Sequence, residues 1–506
     1  MPYIDTDELL PSQPHPLAHQ IYNGLDCCLT LEIFNSIRQH NNRDPEVYSF
    51  ARALQAPALE MMLRGFKIDQ TERVNGQKMV REKIERYQDL LNQLSFAVNG
   101  KALNPRSTLQ LQQFFYKDLG LPEQWISQKG EKKLSMNREA LEKLEIYMHA
   151  RPVVSCILSI RDFSKELETL TAELDHDGRM RYSYNIVGTE TGRWSSSQSS
   201  TGTGLNAQNI KRKLRKMFIA DKGWKICGID LEQAESREVG WLCGTLFSDW
   251  SYLDACDSGD LHTLTCRLIW PRMSWTGDLK KDRELAEEIF YREFTFRDMS
   301  KRGGHGSNYV GTPFTMARHL KVPRVLMEDF QTNYFRAFPG IQMYHQWVAQ
   351  QLQTTHLLTT VFGRERHFFG RPNDDTTLRE GVAYLPQGAT GDRLNIALYR
   401  IWANMRKRVR LIAQVHDALY FLYREEDDEE EVVSQALSYI PTWLTDPKSK
   451  RKYSVPGEAK VGWNWADFND PSTPGNKNKV ANLNGMKKFK GKDPRKFISL
   501  SIHSIL

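Results

Sequence analysis

With 506 residues the chain is too long for a single core and long enough for two to four packed lobes, and 40% hydrophobic with 11% aromatic residues make it a folded globular protein. Its net charge of +7 is a mild excess that would point to a nucleic-acid partner only if the basic residues cluster. Seven cysteines without a CxxC pair or zinc spacing indicate reduced thiols in a cytosolic setting, the acidic, Pro-interrupted start "MPYIDTDELLPSQPH" is no secretory signal, and no apolar run reaches the ~18–20 residues of a membrane span.

Along the chain, residues 1–48 are irregular and then mixed. From Ala53 to Arg64 the apolar spacing is helical, with Pro57 a start or kink, and "GFKID" (65–69) reads as a break and a short extended piece. Residues 74–94 carry a helical period with interspersed charge, and Ser107 caps a further helix in "LNPRSTLQLQQFF". A Gly/Ser/Thr-rich loop (195–204) follows "TGRW" and leads into the basic "NIKRKLRKMF". "WKICGID" (224–230) reads as a buried strand ending on an acid. Residues 255–355 are mainly helical, and strand-like segments return at 357–369 and 411–423. "EEDDEEE" (425–431) suits the acid-rich start of a helix, where the dipole favours negative charge. The tail from Asp470 is rich in Pro, Gly, Asn and Lys, the composition of a mobile appendage that could touch phosphate.

Three segments carry chemistry. "ICGID" and "QVHD" set Asp230 and Asp417 in apolar strand-like runs. Brought together, such carboxylates hold a pair of divalent ions ~3.5–4 Å apart; taken singly, each could equally cap a turn or join a buried ion pair. In "FRDMSKRGGHGSNYVG" (296–311), Arg297, Lys301, His305 and Tyr309 recur every four residues, which stacks them along one helix face. Arg and Lys one turn apart suit a triphosphate, with imidazole and phenol further along for a base or sugar; the alternative is a solvated basic face. No P-loop, HExxH or GxSxG occurs.

The order and spacing of these segments resemble the family A DNA polymerases, the DNA polymerase I family with its many phage-like members. "DLEQAESRE" (230–238) resembles the family's first motif, "RDMSKRGGHGSNY" (297–309) its fingers-helix motif, and "QVHD" (414–417) its third. "TGRWSS" (191–196), "NAQNI" (206–210), "DLH" (260–262) and "REGVAYLPQGATGD" (379–392) fall in family order, so the match runs from about residue 50 to 466. The resemblance implies an α+β right hand with an antiparallel-sheet palm, helical fingers and a helical thumb. It divides the chain into 1–48 (the end of an exonuclease domain), 49–170 (thumb and palm-entry helices), 171–254 (palm), 255–355 (fingers), 356–468 (palm) and 469–506 (a basic tail).

By the same resemblance Asp230 and Asp417 are catalytic metal ligands, joined by the Leu231 carbonyl, for two Mg2+ ions or Mn2+ in their place. Arg297, Lys301, His305, Tyr309, His262, Gln233 and Glu235 bind the dNTP, with Glu235 under the sugar as a block to a 2′-hydroxyl. Arg193, Gln208, Asn209, Arg237, Arg379, Gln387 and His416 fall where the family contacts primer–template DNA. The implied activity is template-directed addition of dNTPs to a primer 3′-hydroxyl, in the cytoplasm of a bacterial or phage-infected cell and without a membrane partner. A nuclease would share the paired acids but needs neither the Arg297/Lys301 face nor Glu235, and a catalytically silent DNA-binding module would need neither acid.

Four positions depart from the family: His305 in place of Phe or Tyr, Val310 between Tyr309 and Gly311, Ala383 in place of Asn, and Ala418 in place of Glu. "YNGLD" (22–26) resembles the last motif of the family's proofreading exonuclease, with Tyr22 and Asp26 its functional residues. Asp5 and Asp7 lie too close to Tyr22 to hold an exonuclease fold between them. The expectation is therefore a polymerase without proofreading of its own: either the nuclease is a separate polypeptide or proofreading is lacking, and a separate exonuclease or processivity subunit is a candidate partner.

Overall fold

The computed structural model describes residues 18–40, 45–128, 131–292, 294–469 and 481–491. Asp5, Asp7 and the tail segments 470–480 and 492–506 lie outside the described residues. The chain divides into two compact units, residues 1–53 and residues 54–503. In the first, helices Ala18–His40 and Pro45–Ala53 are present, and Tyr22 and Asp26 are exposed on the longer one. Among the described residues no helix is long and apolar enough to cross a membrane.

The second unit begins with helix Gln55–Arg64 and strand Phe66–Ile68, as the break at Gly65 predicts. Helix α1 (Gln70–Asn99) starts where Asp69 accepts the main-chain N–H groups of Thr71 and Glu72. It lies along α2 (Arg151–Thr171), whose end it holds: Arg73 donates to the carbonyls of Leu170 and Ala172, each at 2.7 Å. Leu91 of α1 and Val154 and Ile157 of α2 join Leu111, Phe114, Phe115 and Leu141 in one buried core. Ser107 caps the short helix Thr108–Gln112 as expected.

A five-stranded antiparallel sheet organises the rest. Its strands are β1 (Trp224–Leu231), β2 (Val409–Val415), β3 (Ala418–Arg424), β4 (Gly457–Gly462) and β5 (Lys487–Lys488), in the order β2-β3-β1-β4-β5. The unbroken apolar run Ile226–Ile229 belongs to the central strand, β1, where both faces are covered. Helix α3 (Ala234–Phe247) leaves β1 through Gln233, which takes φ +52°. Then come α4 (Leu261–Ile269), α5 (Phe296–Asn308), α6 (Arg324–Ala337) and α7 (Pro339–Thr354), with a small hairpin at Ile289–Tyr291 and Phe294–Thr295. The hairpin Leu357–Thr359/Glu365–His367 precedes the 31-residue α8 (Asp375–Met405). The acid-rich segment opens α9 (Glu429–Ser438), capped by Asp428.

Two features differ from the sequence expectations. The tail is not wholly a loose appendage: residues 481–491 are docked, and β5 pairs with β4. The reason is packing, since Met486 is 5% exposed and the amides of Asn464 and Asn482 bond each other in a buried pair at 2.9 and 3.2 Å. Helix α5 closes with the Gly311 N–H donating to the Gly306 carbonyl at 2.8 Å, while Val310 takes φ +57°, a conformation ordinarily left to glycine.

Candidate active site

Strands β2 and β3 form a hairpin in which Val415 pairs with Ala418, so His416 and Asp417 make up its two-residue turn. His416 takes φ +58°, as the first residue of such a turn does. This exposes the imidazole and leaves Asp417 half-buried beside β1. The Leu231 N–H donates to the Asp417 main-chain carbonyl at 3.1 Å, fastening the turn to the end of β1. Asp230, the preceding residue, lies opposite Ala418 on one side and Glu458 on the other. The two acids thus meet as the sequence motifs imply.

Asp230 is open to solvent on one side yet recessed among protein atoms. That recess, then the Asp417 carboxylate and Glu458, push its carboxyl up to about 7 against the opposing pull of Lys460 and Arg212. A pair of acids whose charge is incompletely balanced by nearby cations, offering hard oxygen donors, suits Mg2+ or Mn2+. Among the described residues no group of three or more His, Cys, Asp or Glu side chains could hold a metal ion.

A second cluster stands on α4 and α5. Arg297 donates to Asp260 through Nε at 3.3 Å and Nη2 at 3.1 Å. Asp260 caps α4, accepting also from the N–H groups of His262 and Thr263 and from the Thr263 hydroxyl. Burial opposes its charge, but the Arg297 guanidinium and Thr263 hold its carboxyl below the usual range. Asp260 received no role from the sequence; its signal was an Asp three residues before a Thr at a helix start. His262 is half-buried, and burial followed by the fields of Arg297 and Lys301 pulls its imidazole down to about 4, so it is neutral at pH 7. Lys301 is exposed one turn beyond Arg297 and makes no ion pair among the described residues. His305 is exposed, and its ring meets Tyr309 edge-on with centroids 4.9 Å apart.

Glu235, in the first turn of α3, joins these groups. One carboxylate oxygen accepts from the Arg193 guanidinium and the other from the Tyr309 hydroxyl. Burial and this carboxylate raise the Tyr309 phenol well above its ordinary range. The Oε1 of Gln233 is buried with no hydrogen-bond partner among the described residues.

Of the remaining expected residues, Gln208 and Asn209 lie on the short helical turn Ala207–Asn209, Arg237 on α3, and Arg379 and Gln387 on α8. Gln208 donates to the Trp194 carbonyl at 3.1 Å, and Asn209 is exposed. Arg379 is exposed, 3.9 Å from Asp375 one turn earlier, and Gln387 is half-buried. Arg237 differs from the expectation of a DNA contact: it is buried, with its guanidinium bound to Asp257 at 2.6 Å and to the Cys256 carbonyl at 3.1 Å. Its Nη groups are taken up by the exposed Asp257 carboxylate and a main-chain carbonyl, and its Nε is buried with no hydrogen-bond partner among the described residues. Arg364 was missed; it binds Asp392 at 2.7 Å and packs so closely under Gly192 (φ +77°) that a Cβ there would lie 2.4 Å from its Nε.

Comparison with known proteins places this arrangement. The model of DNA polymerase family A matches residues 75–467. The chain is 25% identical to DNA polymerase I of Chloroflexus aurantiacus over 442 residues, covering 82% of this chain and 43% of that one. It is 26% identical to the thermostable DNA polymerase I of Thermus aquaticus over 342 residues, covering 64% and 38%. It therefore spans about two fifths of the length of these relatives. Among solved structures, the polymerase domain of Pol1 from M. smegmatis, in complex with DNA primer-template and dNTP, superposes with a TM-score of 0.66 at 22% identity, covering 81% of this chain and 69% of that one.

Proposed function

The chain belongs to DNA polymerase family A, and from that membership we propose that it is a template-directed DNA polymerase extending a primer 3′-hydroxyl with dNTPs. The observation that carries this reading is the junction of Asp417 with the end of β1, which sets two carboxylates from distant parts of the chain side by side. Asp230 and Asp417, with the Leu231 carbonyl, would hold two divalent ions. Once bound, such ions neutralise phosphate charge and lower the pKa of an attacking hydroxyl.

The chain's own side chains do the rest by positioning. Lys301 and Arg297 grip the triphosphate; Arg297 is already oriented by Asp260, and neutral His262 beside them is free to hydrogen-bond a phosphate oxygen. Glu235 lies where the sugar rests and is held there by Arg193 and Tyr309, so a 2′-hydroxyl would meet a fixed carboxylate. Arg193, Gln208, Asn209, Arg379, Gln387 and His416 would line the primer–template duplex. In this reading 171–254 and 356–468 are the palm, 255–355 the fingers and 49–170 the thumb.

Primer extension with Mg2+ and dNTPs tests the proposal. The wild type extends, whereas Asp417→Asn loses several powers of ten in rate, at ~1.4 kcal/mol each, while still binding the duplex. Failure of the wild type to extend, with cleavage of the DNA instead, would make the paired acids a nuclease site. No proofreading is assigned to this chain: pure protein is expected to leave a 3′-recessed primer intact without dNTPs.

A further inference from the structure

The chain's positive charge is unevenly placed. Residues 470–506 hold eight Lys and Arg against two Asp, so +6 of the net +7 falls there and only +1 in the 469 residues before. The family match ends at residue 467, and the docked part of this basic segment, residues 481–491, lies beyond it.

That segment is built into the sheet. The Met486 carbonyl accepts from the Phe468 N–H at 2.9 Å, the Met486 N–H donates to Ala466 at 2.7 Å, and the Phe489 N–H to Ala459 at 2.8 Å. The Met486 side chain packs against Gly228, two residues before Asp230. Register then fixes which lysines share a face with the acid pair, because residues directly opposite in a sheet project to the same side. Asp230 lies opposite Glu458; Lys460, two residues on, is on the same side; and Lys460 lies opposite Lys488. Lys488 is thus on the face of Asp230, two strands and roughly 10 Å from β1. Exposed Lys490 lies two residues on, whereas Lys487, opposite Val461, projects to the other side, its ammonium 4.3 Å from the Phe468 ring centroid.

Lys488 pairs with Glu458 and Lys460 with Asp467, each at 2.8 Å and solvent-exposed. Exposed pairs contribute little and exchange readily for phosphate. Lys460, Lys488 and Lys490 outnumber these two acids by one.

We propose that this C-terminal strand is a nucleic-acid backbone clamp: Lys488 and Lys490 bind phosphates of the primer–template duplex held over the acid pair. It rests on the polymerase reading for the identity of the duplex. Nothing in this patch reads bases, so the contact is independent of sequence.

The test uses the full chain and a double variant, Lys488→Gln and Lys490→Gln, whose melting temperature should match wild type because both side chains are exposed. Affinity for a primer–template duplex is measured without divalent ions between about 50 and about 200 mM salt. Each phosphate contact steepens log K against log[salt] by about 0.9, or roughly threefold over that range, so two contacts make the wild type's loss of affinity exceed the variant's by roughly 12-fold. An excess of less than roughly threefold overturns the clamp. Should the double variant melt lower, Lys490→Glu alone is read by the same criterion, one lost contact giving roughly threefold or more. The two readings separate cleanly. A wild type that extends primers with a variant of identical salt response sinks the clamp alone; a wild type that binds duplex lysine-dependently but never extends sinks the polymerase alone.

Discussion

Glu235 accepts from Arg193 and Tyr309 at once, so its removal frees a cation and a phenol together. Glu235→Ala is expected to raise ribonucleotide incorporation relative to deoxynucleotide by on the order of tenfold or more, measured as a ratio of kcat/KM; an unchanged ratio would show that the carboxylate does not face the sugar. His262 gives a pH signature. Its folded-state pKa of about 4 lies below its unfolded 6.5, so the unfolded chain binds the proton first and stability drains as pH falls from 6.5 towards 4. Wild type should lose more melting temperature across that window than His262→Gln, which has no proton to gain. Ala418 looked like a missing acid from sequence alone. The structure supplies Glu458 on the other flank of Asp230, and only strand order could have revealed it, since the carboxylate comes from β4 and not from the hairpin.

Helix α5 ends under tension. Val310 is β-branched and holds φ +57° at the position that closes the helix, directly after Tyr309, and left-handed backbone costs an ordinary residue roughly 1–2 kcal/mol. Val310→Gly should stabilise the protein by up to about 1 kcal/mol after the glycine's greater unfolded-state entropy is counted, visible as a higher denaturation midpoint; a lower midpoint would mean the valine's packing outweighs its strain. Elements with a strong local period were legible in the sequence: α1, the β2–β3 hairpin, the four-residue spacing on α5 and the acid-rich start of α9. The docking of 481–491 was not, because "ANLNGMKKFKG" has no apolar period and owes its place to main-chain pairing and one buried amide pair. Arg237 shows a related limit: a motif states residue type and spacing, whereas its pairing with Asp257 depends on how α3 packs.

In the larger unit one sheet gathers Asp230 and Asp417 from distant parts of the sequence. Truncation after Asn469 would uncover the edge of β4 and remove Met486 from beneath β1. Such a protein should melt several degrees lower and scatter more light on heating; an unchanged melt would show that β5 adds no stability. The main-chain bond from Leu231 to Asp417 has a further consequence. The offset between the two carboxylates is set by strand register, and register changes only in whole residues. A slip of one would turn Asp417 to the opposite face. Chemical competence is therefore digital: gradual loosening of the surrounding helices dims substrate binding by degrees, but each molecule's acid pair is either in step or absent. On heating, the maximal turnover of the population should count the molecules still in step.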